Sequence, residues 1–305
     1  MITLLESLVE SSEKVIEKGS VASYIPELKK ADPRARGICV TDLKGISQGA
    51  GDYLAPFTLQ SITKVIALLL VLEDRGAEET FRHVHVEPTG DAFNSIVSLE
   101  TKHLRKPFNP MINAGAITVA SLVLGETKEE KIERMLSFTR KLAANPDITY
   151  SRAVFESERE TGDRNRSLAY FMKSTGILEG NVEDILDVYF TQCAILGTCR
   201  DISVIGSVLA ADGVSPVTGE RRFSKANGRI VKTIMTTCGM YDASGEFAVE
   251  VGVPGKSGVG GGIHCAVPGR MGIGTYGPSL DEKGNSVAGL EMLRELSRKM
   301  DLTIF

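Results

Sequence analysis

The sequence has no apolar run of about 18 residues, the length that a membrane-spanning helix requires. Residues 1–19 lack the basic-then-apolar layout of a secretory signal. Lys and Arg form no cluster and the formal net charge is −4, which disfavours nucleic acid as a partner. We therefore expect a cytoplasmic protein that binds neither membranes nor nucleic acid.

Cysteine and histidine are scarce, with five and four residues. The cysteines are odd in number and form no C-x-x-C pair, which favours reduced, buried thiols over a disulfide framework. His83 and His85 would share one face of a strand, but two ligands without a third nearby give little support for zinc. We expect no metal and no organic cofactor.

What the sequence does contain is the composition of a globular protein. Its 305 residues are 42% hydrophobic and 24% charged, far from the composition of disordered chains. That length suffices for two domains or one large one. No repeat, low-complexity tract or long linker interrupts it.

Hydrophobic periodicity predicts the order of the elements. Residues 2–18 predict an amphipathic helix, and Gly37 to Thr41, continuing after the Lys44-Gly45 turn, predict a β-hairpin. Strands are predicted at 247–253, 258–266 and 271–276, and a closing helix at 285–300. Successive helices are predicted between the two sheet-forming parts, at 61–75, 110–124, 128–143, 165–174, 182–195 and 201–211.

This order predicts an α+β fold. An antiparallel sheet flanked by the N- and C-terminal helices is expected from residues 1–60 and 242–305, which form one discontinuous domain. Residues 61–241 are expected to form an inserted all-helical domain. The junction of the two domains is the expected place of the active site.

The most informative short pattern is Ser61-Ile62-Thr63-Lys64, followed by the apolar run 65–72. If Ser61 opens a helix, Lys64 lies one turn further on the same face, within reach of the hydroxyl. A lysine amine whose pKa is lowered by its surroundings can take the serine proton and so activate a nucleophile. The alternative is a serine N-cap followed by a solvated lysine.

A second pattern, Lys256-Ser257-Gly258, precedes the glycine-rich stretch 259–262. Serine acyl-enzymes of the penicillin-binding type combine S-x-x-K on a helix with K-[ST]-G on a facing strand, so the pair is more specific than either part. The glycines would let the Val259 N–H approach a substrate and form an oxyanion hole with the Ser61 N–H. A bulged edge strand packed on a helix is the alternative.

Two nucleotide-binding patterns fail on their context. A P-loop ending at Lys256-Ser257 would need glycine at Glu250 and a following helix. The G-x-G-x-x-G stretch 272–277 is followed by Pro278 rather than by a helix. We interpret these glycines as strand residues.

Longer motifs extend the pattern over nearly the whole chain, from about Tyr24 to about Gly289. They are Tyr24-Ile25-Pro26-Glu27-Leu28, the stretch 109–117 (NPMINAGAI), Ser157-Glu158 with 161–165 (TGDRN), Asp187-Val188-Tyr189-Phe190 and 238–242 (CGMYD). With these motifs the sequence resembles the serine-dependent glutaminases of bacterial type. The resemblance implies a β-lactamase/transpeptidase-like fold, L-glutamine as substrate, and a homodimer or homotetramer.

The resemblance also implies roles for single residues. Ser61 is similar to the family's nucleophile, which also contacts substrate, and Lys64 to its activating base. The other matching positions bind or process glutamine in relatives: Tyr24, Asn113, Glu158, Asn165, Tyr189, Tyr241 and Val259. Each of these alone has a structural interpretation, for example a half-buried aromatic for Tyr189 or a helix cap for Asn113.

The chemistry of glutamine agrees with these residue types. Its α-ammonium pairs with a carboxylate such as Glu158, and its α-carboxylate with donors such as Asn113, Asn165 and a tyrosine hydroxyl. Tyr189 or Tyr241 then protonates the leaving ammonia, and the sequence does not distinguish them. Two other activities share part of the pattern: hydrolysis of β-lactams or peptidoglycan by an acyl-serine enzyme, and non-catalytic sensing of glutamine or glutamate.

Overall fold

The computed structural model describes residues 1–90, 95 and 106–305. Its α-helices are α1 (Ile2–Ser11), α2 (Thr63–His83), α3 (Asn113–Leu122), α4 (Lys128–Ala143), α5 (Arg152–Glu160), α6 (Asp163–Ser174), α7 (Val182–Cys193), α8 (Cys199–Ala210), α9 (Lys225–Cys238), α10 (Ser244–Glu250) and α11 (Val287–Met300). None of the helices within these residues is long and apolar enough to cross a membrane.

All the described strands except β5 come from the two ends of the chain. They are β1 (Ser20–Val21), β2 (Gly37–Asp42), β3 (Ser47–Gly51), β4 (Phe57–Thr58), β5 (Leu196–Gly197), β6 (Gly255–Ser257), β7 (Gly262–Val267), β8 (Met271–Tyr276) and β9 (Ser279–Leu280). A five-stranded antiparallel sheet has the order β3-β2-β8-β7-β6, so that the N-terminal hairpin pairs with the C-terminal strands. The predicted α+β fold is confirmed.

Both faces of this sheet are covered. On one face, side chains such as Ile38 and Ile273 form a core with Leu5 and Leu8 of α1 and Leu293 of α11. The terminal helices therefore flank the sheet as predicted, because their apolar stripes have no other surface to bury against. On the opposite face lies α8, which packs against β2, β7 and β8.

The glycines of the 272–277 stretch are explained by this close packing. A Cβ on Gly272 would overlap the Ser203 carbonyl, and a Cβ on Gly274 the Cys199 carbonyl, both on α8. Glycine at alternate positions of β8 therefore lets the helix backbone approach the sheet. The interpretation of these residues as strand glycines is confirmed for Gly272 and Gly274.

The predicted strand 247–253 is wrong. Residues Ser244–Glu250 form α10 instead. Phe247 and Val251 are buried, but Val249 between them is 89% exposed. Phe247 and Val251 are four residues apart and so share a helix face, and the apparent alternation with period two was a coincidence of that spacing.

The strand predicted at 258–266 begins later, at Gly262, and residues 258–261 form a turn after β6. The Lys256-Ser257 pair lies within β6 rather than beyond a strand. The helices α5 and α9 were not predicted from the sequence. For α5 the reason is its high charge, which hides the apolar periodicity of a helix.

The helix predicted at 61–75 ends where α2 is interrupted, since Gly76 has a non-helical φ of 78° and ψ of 166°, and a second helical segment continues to His83. Ser61 lies in a 3₁₀ turn (Gln60–Ile62) in front of α2. The other predicted helices agree within a few residues with the structure, except that residues 2–18 divide into α1 and a 3₁₀ helix, Ser12–Lys18. His83 closes α2, beside Glu79, and His85 follows in irregular backbone, so these residues do not share a strand face.

Candidate active site

Ser61 lies at the entry to α2, where the backbone is strained. It is 7% exposed and belongs to the 3₁₀ turn Gln60–Ile62. Gln60, immediately before it, has a φ of 49°, in the left-handed region that residues with a side chain rarely occupy. Such strain persists where surrounding structure fixes it, and it is concentrated at functional sites.

Lys64 lies on the first turn of α2 and is 1% exposed. Its ammonium donates to the Met111 carbonyl at 3.0 Å and to Asn113 Oδ1 at 2.8 Å. Burial lowers the pKa of Lys64 to about 8, and the nearby Cys193 and Glu158 oppose this shift. A lysine with this pKa is partly neutral near physiological pH and is suited to act as a base.

The turn 258–261 lies directly against the segment that carries Ser61. A Cβ on Gly258 would lie 2.5 Å from the Leu59 carbonyl oxygen, and a Cβ on Gly260 would overlap the Thr58 carbonyl. The turn can approach the nucleophile's backbone only because these positions are glycine. Val259, between them, is buried at the substrate cavity described below.

Tyr241 joins this turn to the nucleophile. Its φ of 56° is again left-handed. Burial raises the pKa of its hydroxyl, and the neighbouring Ser61 side chain and Val259 backbone oppose this shift. The Lys256 ammonium lies 4.5 Å from the centre of its ring, within cation–π distance. Tyr241 therefore connects Ser61, Val259 and the K-[ST]-G lysine.

Polar side chains from three helices face Ser61. Glu158 on α5 is 6% exposed, and burial raises its pKa to about 7 against the opposing effects of the Gln60 side chain and the Lys64 charge. Asn113, at the start of α3, donates from Nδ2 to Asn165 Oδ1 on α6 at 2.9 Å. Since Asn113 Oδ1 accepts from Lys64, a hydrogen-bonded chain links the base to Asn165.

These residues enclose a cavity of about 80 Å³, which we call the substrate cavity. It is lined by Tyr24, Ile25, Gln60, Ser61, Asn113, Glu158, Thr161, Gly162, Arg164, Asn165, Tyr189, Cys193 and Val259. Tyr24 is 56% exposed and so lies at the rim. Seven of the residues that the sequence nominated as site residues line this cavity, and the other two, Lys64 and Tyr241, contact its lining.

A larger depression of about 380 Å³ lies between the N-terminal ends of α4 and α7. Among its described lining residues, Glu126, Glu129, Glu179 and Asp184 outnumber Lys128 and Lys131. Ser121 also lies in its lining, but its hydroxyl donates to the Thr118 carbonyl, and Lys131 donates to the Ser121 carbonyl. Size alone therefore does not identify the active site.

Sequence reasoning did not nominate six of the lining residues: Ile25, Gln60, Thr161, Gly162, Arg164 and Cys193. Of these, Gln60 precedes the nucleophile and interacts with Glu158, and Cys193 lies on α7 one turn after Tyr189. Spacing within the predicted helix 182–195 would have placed Cys193 on the same face as Tyr189. The left-handed backbone of Gln60 has no such signal in the sequence.

Comparison with known proteins identifies the family. A family model for Glutaminase matches residues 19–305. The chain is 57% identical to Glutaminase 2 of Clostridium perfringens (strain 13 / Type A) and 58% identical to a glutaminase of Clostridium botulinum (strain Hall), over 100% of the chain and of each relative.

Solved structures give the same result. A Bacillus glutaminase crystallised in the presence of 4.3 M NaCl matches with a TM-score of 0.93 at 43% identity, covering 100% of this chain and 99% of that one. A probable glutaminase of Bacillus subtilis complexed with 6-diazo-5-oxo-L-norleucine matches with a TM-score of 0.92 at 41% identity, covering 100% and 96%. These neighbours have the β-lactamase-like fold, as predicted. Of the three activities that the motifs left open, the matches select glutaminase activity. The chain belongs to the glutaminase family.

Proposed function

We propose that the protein hydrolyses L-glutamine to L-glutamate and ammonia through a γ-glutamyl ester on Ser61. The observation that carries this proposal is the position of Ser61 in the lining of the substrate cavity, one turn before a buried lysine whose pKa is lowered to about 8. A serine hydroxyl needs such a neighbouring base to become a nucleophile.

Glutamine would bind with its two charged groups away from Ser61. The Glu158 carboxylate pairs with the α-ammonium, since it is the buried acid in the lining. The amides of Asn113 and Asn165, together with the hydroxyls of Tyr24 and Tyr189, serve the α-carboxylate and the rest of the chain. The side-chain amide then faces Ser61.

Acylation starts when the neutral Lys64 amine takes the proton of the Ser61 hydroxyl. The serine oxygen attacks the γ-carbonyl carbon, and the backbone N–H groups of Ser61 and Val259 hold the resulting oxyanion. As the C–N bond breaks, the Lys64 proton passes to the nitrogen, and ammonia leaves. We assign the relay of this proton to Tyr241, because its hydroxyl lies close enough to the Ser61 side chain for the two groups to interact.

Deacylation repeats these steps with water as the nucleophile. Lys64, again neutral, accepts a proton from water through Tyr241, and the hydroxide attacks the ester carbonyl. The C–O bond to Ser61 breaks, the serine oxygen regains a proton, and L-glutamate is released. The cycle uses only groups of the protein, substrate and water.

The test is ammonia release from L-glutamine by the wild type and Ser61→Ala, with L-asparagine as the shorter substrate. We expect rapid release from glutamine and a loss of kcat of about a thousandfold or more in Ser61→Ala. Ser203→Ala, which removes another buried serine hydroxyl, on α8, is the matched control and should keep its kcat. Near-normal activity of Ser61→Ala would refute the assignment of the nucleophile.

We also propose that the protein acts in the cytoplasm as a homodimer or homotetramer. Its five cysteines are free and buried, which fits a reducing compartment. The assembly rests on the family resemblance alone, and analytical ultracentrifugation measures it directly. The proposed domain boundaries at 60/61 and 241/242 stay predictions that limited proteolysis can test.

A further inference from the structure

Asn109 is buried beside the active site, and the mechanism above gives it no role. It opens the motif 109–117 and is 1% exposed. Its Oδ1 accepts from the backbone N–H groups of Met111 at 2.9 Å and Ile112 at 3.2 Å. Its Nδ2 donates to the Glu87 carbonyl at 2.9 Å. A single side chain therefore closes the turn that leads into α3.

This turn supplies two acceptors for the Lys64 ammonium. The ammonium donates to the Met111 carbonyl at 3.0 Å and to Asn113 Oδ1 at 2.8 Å. The N–H of Met111 is one of the two groups that bond to Asn109. Asn113 is the first residue of α3, directly after the turn. The segment that aligns Lys64 is therefore fixed by the Asn109 side chain.

Close packing keeps the same segment against α3. A Cβ on Gly115 would overlap the Asn109 carbonyl oxygen, so the turn lies directly on the first turn of the helix because this position is glycine. Met111, Asn113 and Lys64 are all buried. If the turn shifted, the ammonium would therefore have no bulk water to replace the lost acceptors.

We propose that Asn109 is a positioning residue that orients Lys64 as the base, by fixing the Met111 carbonyl and the start of α3. This inference rests on the proposed function, since it assigns Lys64 to the activation of Ser61. Hydrogen bonds to an ammonium favour its charged form and so raise the pKa of a lysine. A loosened turn should therefore lower the pKa of Lys64 and misalign its amine with Ser61.

Other ionisable groups act on Lys64, and the test leaves them in place. Cys193 on α7 and Glu158 on α5 oppose the lowering of its pKa by burial. Lys256 on β6 faces it as well, since burial and then the Lys64 charge lower the pKa of Lys256. The three hydrogen bonds that the structure gives the Asn109 side chain all go to main-chain groups. Replacing Asn109 by alanine therefore leaves these charges unchanged.

The pH profile of kcat/KM for L-glutamine tests this role in the wild type and in Asn109→Ala. We expect kcat of Asn109→Ala to fall by about tenfold to a hundredfold, since a small displacement of a catalytic group is costly. The pH at which kcat/KM reaches half of its maximum should fall by about half a unit to one unit. This is the effect on a pKa of losing one hydrogen bond to a charged group.

Asn109→Asp separates the acceptor of this side chain from its donor. The carboxylate still accepts from the N–H groups of Met111 and Ile112, but it cannot donate to Glu87. This variant should retain more of kcat than Asn109→Ala. Its half-maximal pH should equal that of the wild type or exceed it, because a nearby negative charge favours the Lys64 ammonium. A half-maximal pH below the wild-type value in both variants would overturn the role assigned to the Oδ1 acceptor.

The matched control is Asn145→Ala, in the loop after α4. Asn145 Oδ1 also accepts from the backbone N–H two residues further on, that of Asp147, and its Nδ2 also donates to another segment, at Asp201 Oδ1. Asn145 lies outside the lining of the substrate cavity. The variant should keep the wild-type kcat and pH profile, even if its melting temperature falls.

A half-maximal pH in Asn109→Ala equal to that of the wild type would overturn the inference, because a purely structural role lowers stability without moving the profile. An unchanged kcat would overturn it as well. Should Asn109→Ala fail to fold, the profile is measured on Asn109→Ser, whose side chain is one bond shorter, and a wild-type profile again refutes the inference. Failure of the proposed function is read separately, because Ser61→Ala would then keep its activity.

Discussion

The lining of the substrate cavity and the residues that contact this lining form two walls of different construction. The helical wall consists of Lys64, Asn113, Glu158, Tyr189 and Cys193, which project from α2, α3, α5 and α7. The turn wall consists of Gln60, Ser61, Tyr241, Val259 and the flanking glycines, where the backbone is left-handed at Gln60 and Tyr241.

The difference separates two kinds of chemical work. The helical wall supplies ionisable and hydrogen-bonding side chains, whose pKa values burial shifts. The turn wall supplies the nucleophile and the backbone N–H groups, whose positions depend on close contact between two main-chain segments. Activity should therefore fall when a functional group is removed from a side chain of the helical wall. In the turn wall it should fall when a Cβ is added to a glycine.

The largest effect is expected from Lys64→Met on the helical wall. Without the amine, Ser61 has no base, and kcat/KM should fall by about a thousandfold. The buried lysine costs folding free energy, because its charge is desolvated, so the melting temperature should stay the same or rise. Ammonia release and thermal unfolding measure the two effects.

The matched control for this change is Lys131→Met. Lys131 on α4 also donates to a backbone carbonyl, that of Ser121, and burial also lowers its pKa. It lies outside the substrate cavity. Wild-type kcat/KM is expected for this variant, which removes a partly buried lysine. If both lysine variants lost activity alike, a general effect of removing a lysine from the protein interior would replace the role assigned to Lys64.

The next effect concerns the turn wall, through Gly258→Ala. Its added Cβ would lie 2.5 Å from the Leu59 carbonyl oxygen, so the turn or the Ser61 segment must shift. A displacement of about 1 Å in a catalytic group costs about a hundredfold in kcat. Gly245→Ala, at a glycine with open space around it, is the control and should keep full activity. Unchanged kcat in Gly258→Ala would mean that the turn wall tolerates displacement.

These two walls also differ in how far the sequence predicted them. Apolar periodicity predicted the helices that carry Lys64, Asn113 and Tyr189, but it missed α5, which carries Glu158. The site residues of both walls were nominated from motifs and family resemblance, and those nominated on the helical wall lie together in the structure. Their assigned roles stay predictions.

The backbone of the turn wall was not predictable in the same way. The stretch 258–266 was taken for a single strand, although residues 258–261 form a turn. Left-handed conformations at Gln60 and Tyr241 depend on tertiary contacts and leave no periodic pattern in the sequence. The strand predicted at 247–253 was wrong because Phe247 and Val251 fit one face of a helix as well as one face of a strand. The exposure of Val249, which distinguishes the two, is known only from the structure.

The pH dependence between pH 6 and 8 should come from the helical wall alone, because backbone N–H groups do not titrate and burial raises the pKa of Tyr241. Lys64 acts as the neutral amine, and its pKa is lowered to about 8. Glu158 acts as the carboxylate, and its pKa is raised to about 7. The populations of both active forms increase as pH rises. We therefore expect kcat/KM to fall about tenfold from pH 8 to 7 and more steeply below pH 7.

Glu158→Gln isolates the contribution of Lys64 to this profile. The variant should bind glutamine weakly, and its residual kcat/KM should fall no more than about tenfold per pH unit below pH 7. A wild-type profile that is flat between pH 6 and 8 would contradict both assignments. A profile in Glu158→Gln as steep as that of the wild type would contradict the role of Glu158 only.

The smallest effect tests whether packing or helix termini hold the helical wall. The Asn181 side chain caps α7 by accepting from the backbone N–H groups of Glu183 and Asp184. Asn181→Ala should lower the free energy of unfolding by about 1 kcal/mol. It should leave kcat unchanged, because Tyr189 and Cys193 lie about two turns or more further along α7, within the packed cluster that contains Leu186 and Phe190.

Denaturant unfolding measures the loss of stability, and ammonia release measures kcat. The control is Ser224→Ala, which removes the cap of α9 and gives the loss of stability expected of a cap away from this wall. A fall in kcat confined to Asn181→Ala would show that the position of the helical wall depends on the N-terminus of α7 as well as on side-chain packing.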